Sequence, residues 1–94
     1  MGLLKNLGAK AMELMEEDTV YSASKSEDDA SFELLLKASD KNYIAYVSAY
    51  VRLLEKRKYP GGGFKKGISE TISDRPKDVQ KKVRNILEQV GIYV

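Results

Sequence analysis

From Lys41 to about Lys58 the apolar residues return with the period of a helix, and they do so on two adjoining stripes. Ile44, Val47, Val51 and Leu54 form one stripe; Tyr43, Tyr46, Tyr50 and Leu53 form the other. Together they cover about half of the helix circumference, wider than the roughly 100° arc a surface helix needs. Arg52 and Lys56 point the other way. A helix with so broad an apolar face requires neighbours on several sides.

The rest of the chain supplies candidates for those neighbours. Leu3 to Glu17 is amphipathic, with Leu3, Leu7, Ala11 and Leu14 on one stripe and Leu4 and Met15 widening it. Lys5, Glu13, Glu16 and Glu17 take the opposite, solvated face. Gly8 at the stripe edge permits close approach of another helix, at a propensity cost of about 1 kcal/mol. Asp18 to Ser26 breaks the pattern and reads as an extended linker, because Thr19, Val20 and Tyr21 favour strand conformations. Ser24 and Ser26 each fit the start of a capping box. Either choice places Glu27, Asp28 and Asp29 in the first turn of a second helix, at the positive end of its dipole. That helix carries Phe32, Leu35 and Leu36 on one side and Ala30 and Leu34 on another.

Asp40 is the best candidate to cap the long helix, and Tyr59-Pro60-Gly61-Gly62-Gly63-Phe64 ends it. Lys65 to Ser73 fits a short helix, a reading that Gly67, Ile68 and Ile72 leave open. The last helix starts at Ser73 or Asp74 with Pro76 in its first turn. Its core face is Val79, Val83, Ile86, Leu87 and Val90, and Gly91 followed by Ile92 predicts a Schellman end. The expected fold is therefore all-α: a compact bundle or orthogonal helical domain of four helices, five if the short one forms, in one domain over residues 1–94.

Composition then narrows the chemistry. The chain has no Cys and no His. That excludes disulfides, thiolate nucleophiles, Cys-ligated metals, Ser-His-Asp triads and imidazole acid–base catalysis. Glu13, Glu16, Glu17 and Asp18, like Glu27, Asp28 and Asp29, are explained by a solvated face and a helix cap, and no calcium loop is present. No metal, no cofactor and no enzymatic activity are expected. Lys5, Asn6 and Lys10 interrupt the N-terminal apolar positions, which argues against a signal peptide. Asn6 stands where an acylation motif wants Ser or Thr. No run approaches the ~20 apolar residues of a membrane span. A soluble cytoplasmic protein with no membrane partner is the expectation.

Charge is unevenly placed. Residues 1–40 carry four basic and nine acidic side chains, residues 41–94 twelve and five, so net charges of −5 and +7 make up the overall +2. The positive half holds two clusters. Arg52, Lys56, Arg57, Lys58, Lys65 and Lys66 surround the glycine loop; Lys77, Lys81, Lys82 and Arg84 lie on the last helix. If the helices pack side by side, one basic surface holds both, the footprint of a protein that touches phosphates. In the loop, Gly61, Gly62 and Gly63 can turn backbone N–H groups toward an anion, and Tyr59 and Phe64 can stack on a base. The spacing matches no nucleotide-binding fingerprint.

Two functions follow. One is a small accessory protein that binds an anionic partner, nucleic acid or a phosphorylated ligand, through this loop and the adjacent helices. The alternative is a protein–protein adaptor or homo-oligomeric assembly unit without nucleic-acid contact. Its interface would be Tyr43, Tyr46 and Tyr50, and its acidic and basic halves would complement each other between subunits.

Overall fold

Ser39, rather than Asp40, starts the long helix. Its backbone is extended (φ −63°, ψ 163°) and its Oγ accepts from the Asn42 N–H at 3.2 Å. Asp40 is thereby released for a tertiary role. The computed structural model describes residues 15–26, 29–58 and 63–94. Five helices occur among them: α1 over residues 15–25, α2 Ala30–Lys37, α3 Asp40–Glu55, α4 Gly63–Thr71 and α5 Lys77–Glu88. A 3-10 turn, Ile72–Asp74, joins α4 to α5. No strand is present among the described residues, and the fold is all-α as the periodicity requires. The stripe over Leu3 to Leu14, Gly8 included, lies outside them.

Several boundaries differ from the sequence reading, each for a physical reason. The stretch expected as a linker is helical through residue 25. Glu17, Val20 and Ser24, one turn apart on one face, are all buried, and tertiary burial outweighs the modest strand preference of Thr19, Val20 and Tyr21. The Thr19 hydroxyl is accommodated by donating to Met15 O at 2.9 Å. Ser24 therefore lies inside α1 and caps nothing. The first turn of α2 follows Asp29, which makes no side-chain cap bond; Glu27 and Asp28 lie outside the described residues.

α3 ends before the glycine loop rather than at it. The Lys58 N–H donates to Leu53 O at 2.9 Å and the Arg57 N–H to Leu54 O at 3.0 Å, the bond pair of a Schellman turn. Arg57 takes the left-handed position (φ 57°) that usually falls to glycine. Gly63 is already the first residue of α4, so the open short helix is real. Pro76 precedes α5 instead of entering its first turn, and it holds Arg75 extended (φ −90°, ψ 155°). At the other end the predicted Schellman turn is present. Gly91 has φ 75°, Ile92 N–H donates to Leu87 O at 3.0 Å and Gly91 N–H to Glu88 O at 3.0 Å.

Among α2 to α5, α2 packs chiefly on α4 and α3 chiefly on α5. Both stripes of α3 are engaged: Tyr43, Val47, Tyr50, Val51 and Leu53 are buried, with Ile44, Tyr46 and Leu54 packed at the margin. Opposite them stand Val79, Val83 and Leu87 of α5, Phe64 and Ile68 of α4, Leu35 of α2 and Val20 of α1. The Tyr43 hydroxyl crosses this interior to Thr71 Oγ1 at 2.8 Å, and Thr71 in turn donates to Gly67 O at 2.8 Å. Burial pushes the Tyr43 phenol above 10.0, against the opposing pulls of Thr71 and the Arg75 charge.

Candidate anion-binding surface

The cations divide by what they touch. Glu17 belongs to the buried face of α1, not its solvated face, and its carboxylate needs countercharges there. Arg52 on α3 and Lys56, the residue just past its end, supply them. Lys56 Nζ stands 2.9 and 3.1 Å from the two carboxylate oxygens, and Arg52 Nε donates at 3.2 Å. Arg52 also faces Glu16 at 3.6 Å. Two residues expected to meet a ligand are thus committed to holding α1 on α3.

This arrangement sets an acid response. Desolvation raises the Glu17 pKa, but Lys56 and Arg52 together outweigh it and hold the carboxyl below 4.5. A depressed folded-state value contributes stability that is complete above the unfolded value and is lost as pH falls through the folded one. Lys56 is half exposed, so the pair group contributes about 1 kcal/mol. Thermal unfolding of Glu17→Gln should run on the order of 5 °C below the wild type at pH 7, and the gap should close below pH 4.5. A gap that stayed constant down to pH 3 would contradict the assignment.

Arg75 forms the second group. Its side chain is only 10% exposed. It donates through Nη2 to Leu35 O and Leu36 O at the end of α2, pairs through Nη1 with Asp40 Oδ1 at 3.1 Å, and lies 4.4 Å from the Tyr43 ring centroid. No local pattern singles out Arg75 in the sequence; Pro76 fixes its backbone, but its partners lie far back in the chain.

The remaining cations face water. Lys37, Lys41, Arg57, Lys58, Lys65, Lys77, Lys81 and Lys82 are exposed and have no carboxylate partner among the described residues, and Lys25 is exposed over the Tyr21 ring. Lys66 is exposed and stands 3.8 Å from Glu70. Arg84 donates to Val94 O at 3.1 Å and to Gln80 Oε1 at 3.3 Å. Lys77, Lys81 and Arg84 line one shallow polar groove along α5. The helix carrying Lys65 and Lys66 belongs to one packing pair and α5 to the other.

The aromatic candidates fare differently. Phe64 is fully buried, 5.0 Å from Tyr50 between ring centroids, so it has no face to offer a base. Tyr43 and Tyr50 are core residues and cannot form an intermolecular surface. Only Tyr46 of that stripe reaches the surface, beside Ala30, Leu34 and Ala38. Gly63 is exposed at the start of α4, while Tyr59, Gly61 and Gly62 lie outside the described residues. No cluster of three metal-binding side chains occurs among the described residues, and none of their helices is long and apolar enough to cross a membrane. No protein-family model, curated protein or solved structure matches the chain.

Proposed function

We propose that the chain is a small non-enzymatic accessory protein that binds an anionic partner, with the phosphate backbone of nucleic acid the best fit to its charges. The observation that carries this reading is the division of the cations. Arg52, Lys56 and Arg75 are neutralised inside the fold. Arg57, Lys58, Lys65, Lys77, Lys81 and Lys82 are left exposed without internal partners among the described residues. Positive charge that the fold does not use is available to phosphates at little reorganisation cost. The assembly reading loses support in the same comparison, since two of its three tyrosines lie in the core.

The test is fluorescence anisotropy with labelled random-sequence oligonucleotides, single- and double-stranded, across salt concentrations. Binding should weaken linearly on log–log axes, and the slope should fall by roughly one for each exposed lysine removed. Lys81→Gln with Lys82→Gln is the first pair to try, because neither side chain has a tertiary partner among the described residues. No binding at low salt would sink the proposal, and concentration-dependent self-association in its place would favour assembly.

A further inference from the structure

We propose that the polar pocket that starts at the first residue of α4 and runs along that helix is a discrete site for a phosphate group, either inorganic phosphate or a phosphate monoester. The ligand class rests on the anionic-partner reading above; the site is additional to the exposed lysines. The pocket has a volume of about 180 Å³, its polar lining comes from Ser26, Asp29, Ser31, Lys66 and Glu70, and Gly63 lines it too. A water takes about 30 Å³ of liquid, so the space accommodates a tetrahedral oxyanion.

Two independent features point to an anion there. α4 is nine residues long, and its first turn presents backbone N–H groups and the positive end of a helix dipole. The second feature is Ser31. The residue lines the pocket and is 4% exposed, yet its Oγ has no hydrogen-bond partner among the described residues. A buried hydroxyl in that state is destabilising unless something occupies the space beside it. A Cβ built on Gly63 would stand 3.8 Å from Ser31 Oγ and 3.7 Å from Ser24 O. The orphan hydroxyl therefore lies beside the first residue of α4, and glycine keeps that space open. Ser24 Oγ is buried and has no partner among the described residues either.

Asp29 and Glu70 argue for a cation, and they have to be weighed. Glu70 is already paired with Lys66, loosely, at 3.8 Å. Asp29 is exposed and solvated. The helix terminus and the Lys66 ammonium offset the two carboxylates only in part. The donors decide instead: the Ser31 hydroxyl and the α4 N–H groups call for an acceptor, which a phosphate is and a metal cation is not. A phosphate would accept from Ser31 Oγ and from α4 N–H groups, and would draw Lys66 from Glu70.

The sign can be tested on the full chain by titrating inorganic phosphate at constant ionic strength, reading melting temperature and amide chemical shifts. Saturable stabilisation is expected, with shifts centred on Ser31 and on residues 63–67. Ser31→Ala should weaken the apparent affinity roughly tenfold. Glu70→Gln should strengthen it, because it frees Lys66 and removes a repulsion. Gly63→Ala should weaken it too, and its methyl makes only ordinary contacts, so folding is preserved. The proposal is overturned if Ser31→Ala has no effect, if Glu70→Gln weakens binding, or if Mg²⁺ or Ca²⁺ stabilises the protein where phosphate does not. Oligonucleotides with 5′-phosphate and 5′-hydroxyl ends separate the sources. A preference for the phosphorylated end identifies a nucleic-acid terminus; equal binding beside saturable phosphate identifies a small phosphorylated ligand. Salt-steep oligonucleotide binding without a phosphate site would overturn the pocket alone. Saturable phosphate without oligonucleotide binding would support the pocket and sink the surface reading.

Discussion

Arg75→Met is expected to destabilise the fold by about 3 kcal/mol, a fall in melting temperature on the order of 10–20 °C for a chain of this size. Methionine keeps most of the apolar volume over Tyr43, so the loss reports the guanidinium. Three interactions go at once, and their sizes differ. The Asp40 carboxylate is 52% exposed, so that pair contributes well under 1 kcal/mol. The cation over the Tyr43 ring adds about 1 kcal/mol when largely desolvated, as here. The bonds to Leu35 O and Leu36 O dominate, because they satisfy carbonyls at the end of α2 that have no partner within the helix. They also set a cation at the negative end of its dipole. Asp40→Asn should accordingly cost less than 0.5 kcal/mol. Arg75→Lys should cost about 2 kcal/mol, since a single ammonium cannot reach both carbonyls and Asp40 together. Urea unfolding followed by circular dichroism separates the three variants. A cost for Arg75→Met no greater than that for Asp40→Asn would show that the carbonyl contacts do not matter.

What could be read from the sequence was what neighbouring residues decide. The two stripes of α3, the core face of α5 and the Gly91 turn depend on spacings of a few residues, and all are present. What could not be read depends on partners far away in the chain. Glu17 looks like any exposed glutamate until Arg52 and Lys56 arrive 35 and 39 residues later. Arg75 reaches back 35 to 40 residues to Asp40, Leu36 and Leu35. Thr19, Val20 and Tyr21 have strand propensity and become helical because Val20 is needed in the core. The end of α3 shows a local error of another kind. Three glycines drew the expected stop to the loop, whereas Arg57 accepts the left-handed position itself. At the candidate surface the lysines were legible, since charge keeps them in water. Phe64 was not, because its depth is set by Tyr50 on another helix.

Gly67→Val is expected to cost 3 kcal/mol or about that, and Gly67→Ala decides why. In sequence Gly67 weakens the case for α4; in the structure it is the point where α4 meets α2. A Cβ there would stand 3.1 Å from Leu35 Cδ1, 3.3 Å from Phe32 N and 3.3 Å from Ser31 C. The leucine methyl can swing aside, but the other two atoms are backbone of α2. Either that helix moves by a few tenths of an ångström, or the contact is strained. Against this, alanine gains about 1 kcal/mol of helix propensity over glycine at an interior position. Overpacking a rigid contact costs about 1–3 kcal/mol, so Gly67→Ala should come out destabilising by about 1 kcal/mol. Valine adds two methyls and a restricted χ1 to the same contact and has a smaller propensity gain than alanine to set against them. Gly63→Ala is the internal control, because its nearest atoms are 3.7 and 3.8 Å away and it should be neutral or slightly stabilising. Thermal unfolding of the three variants reads the order directly. If Gly67→Ala were as stable as Gly63→Ala, α2 and α4 would have room to separate, and the close approach would not be what glycine provides.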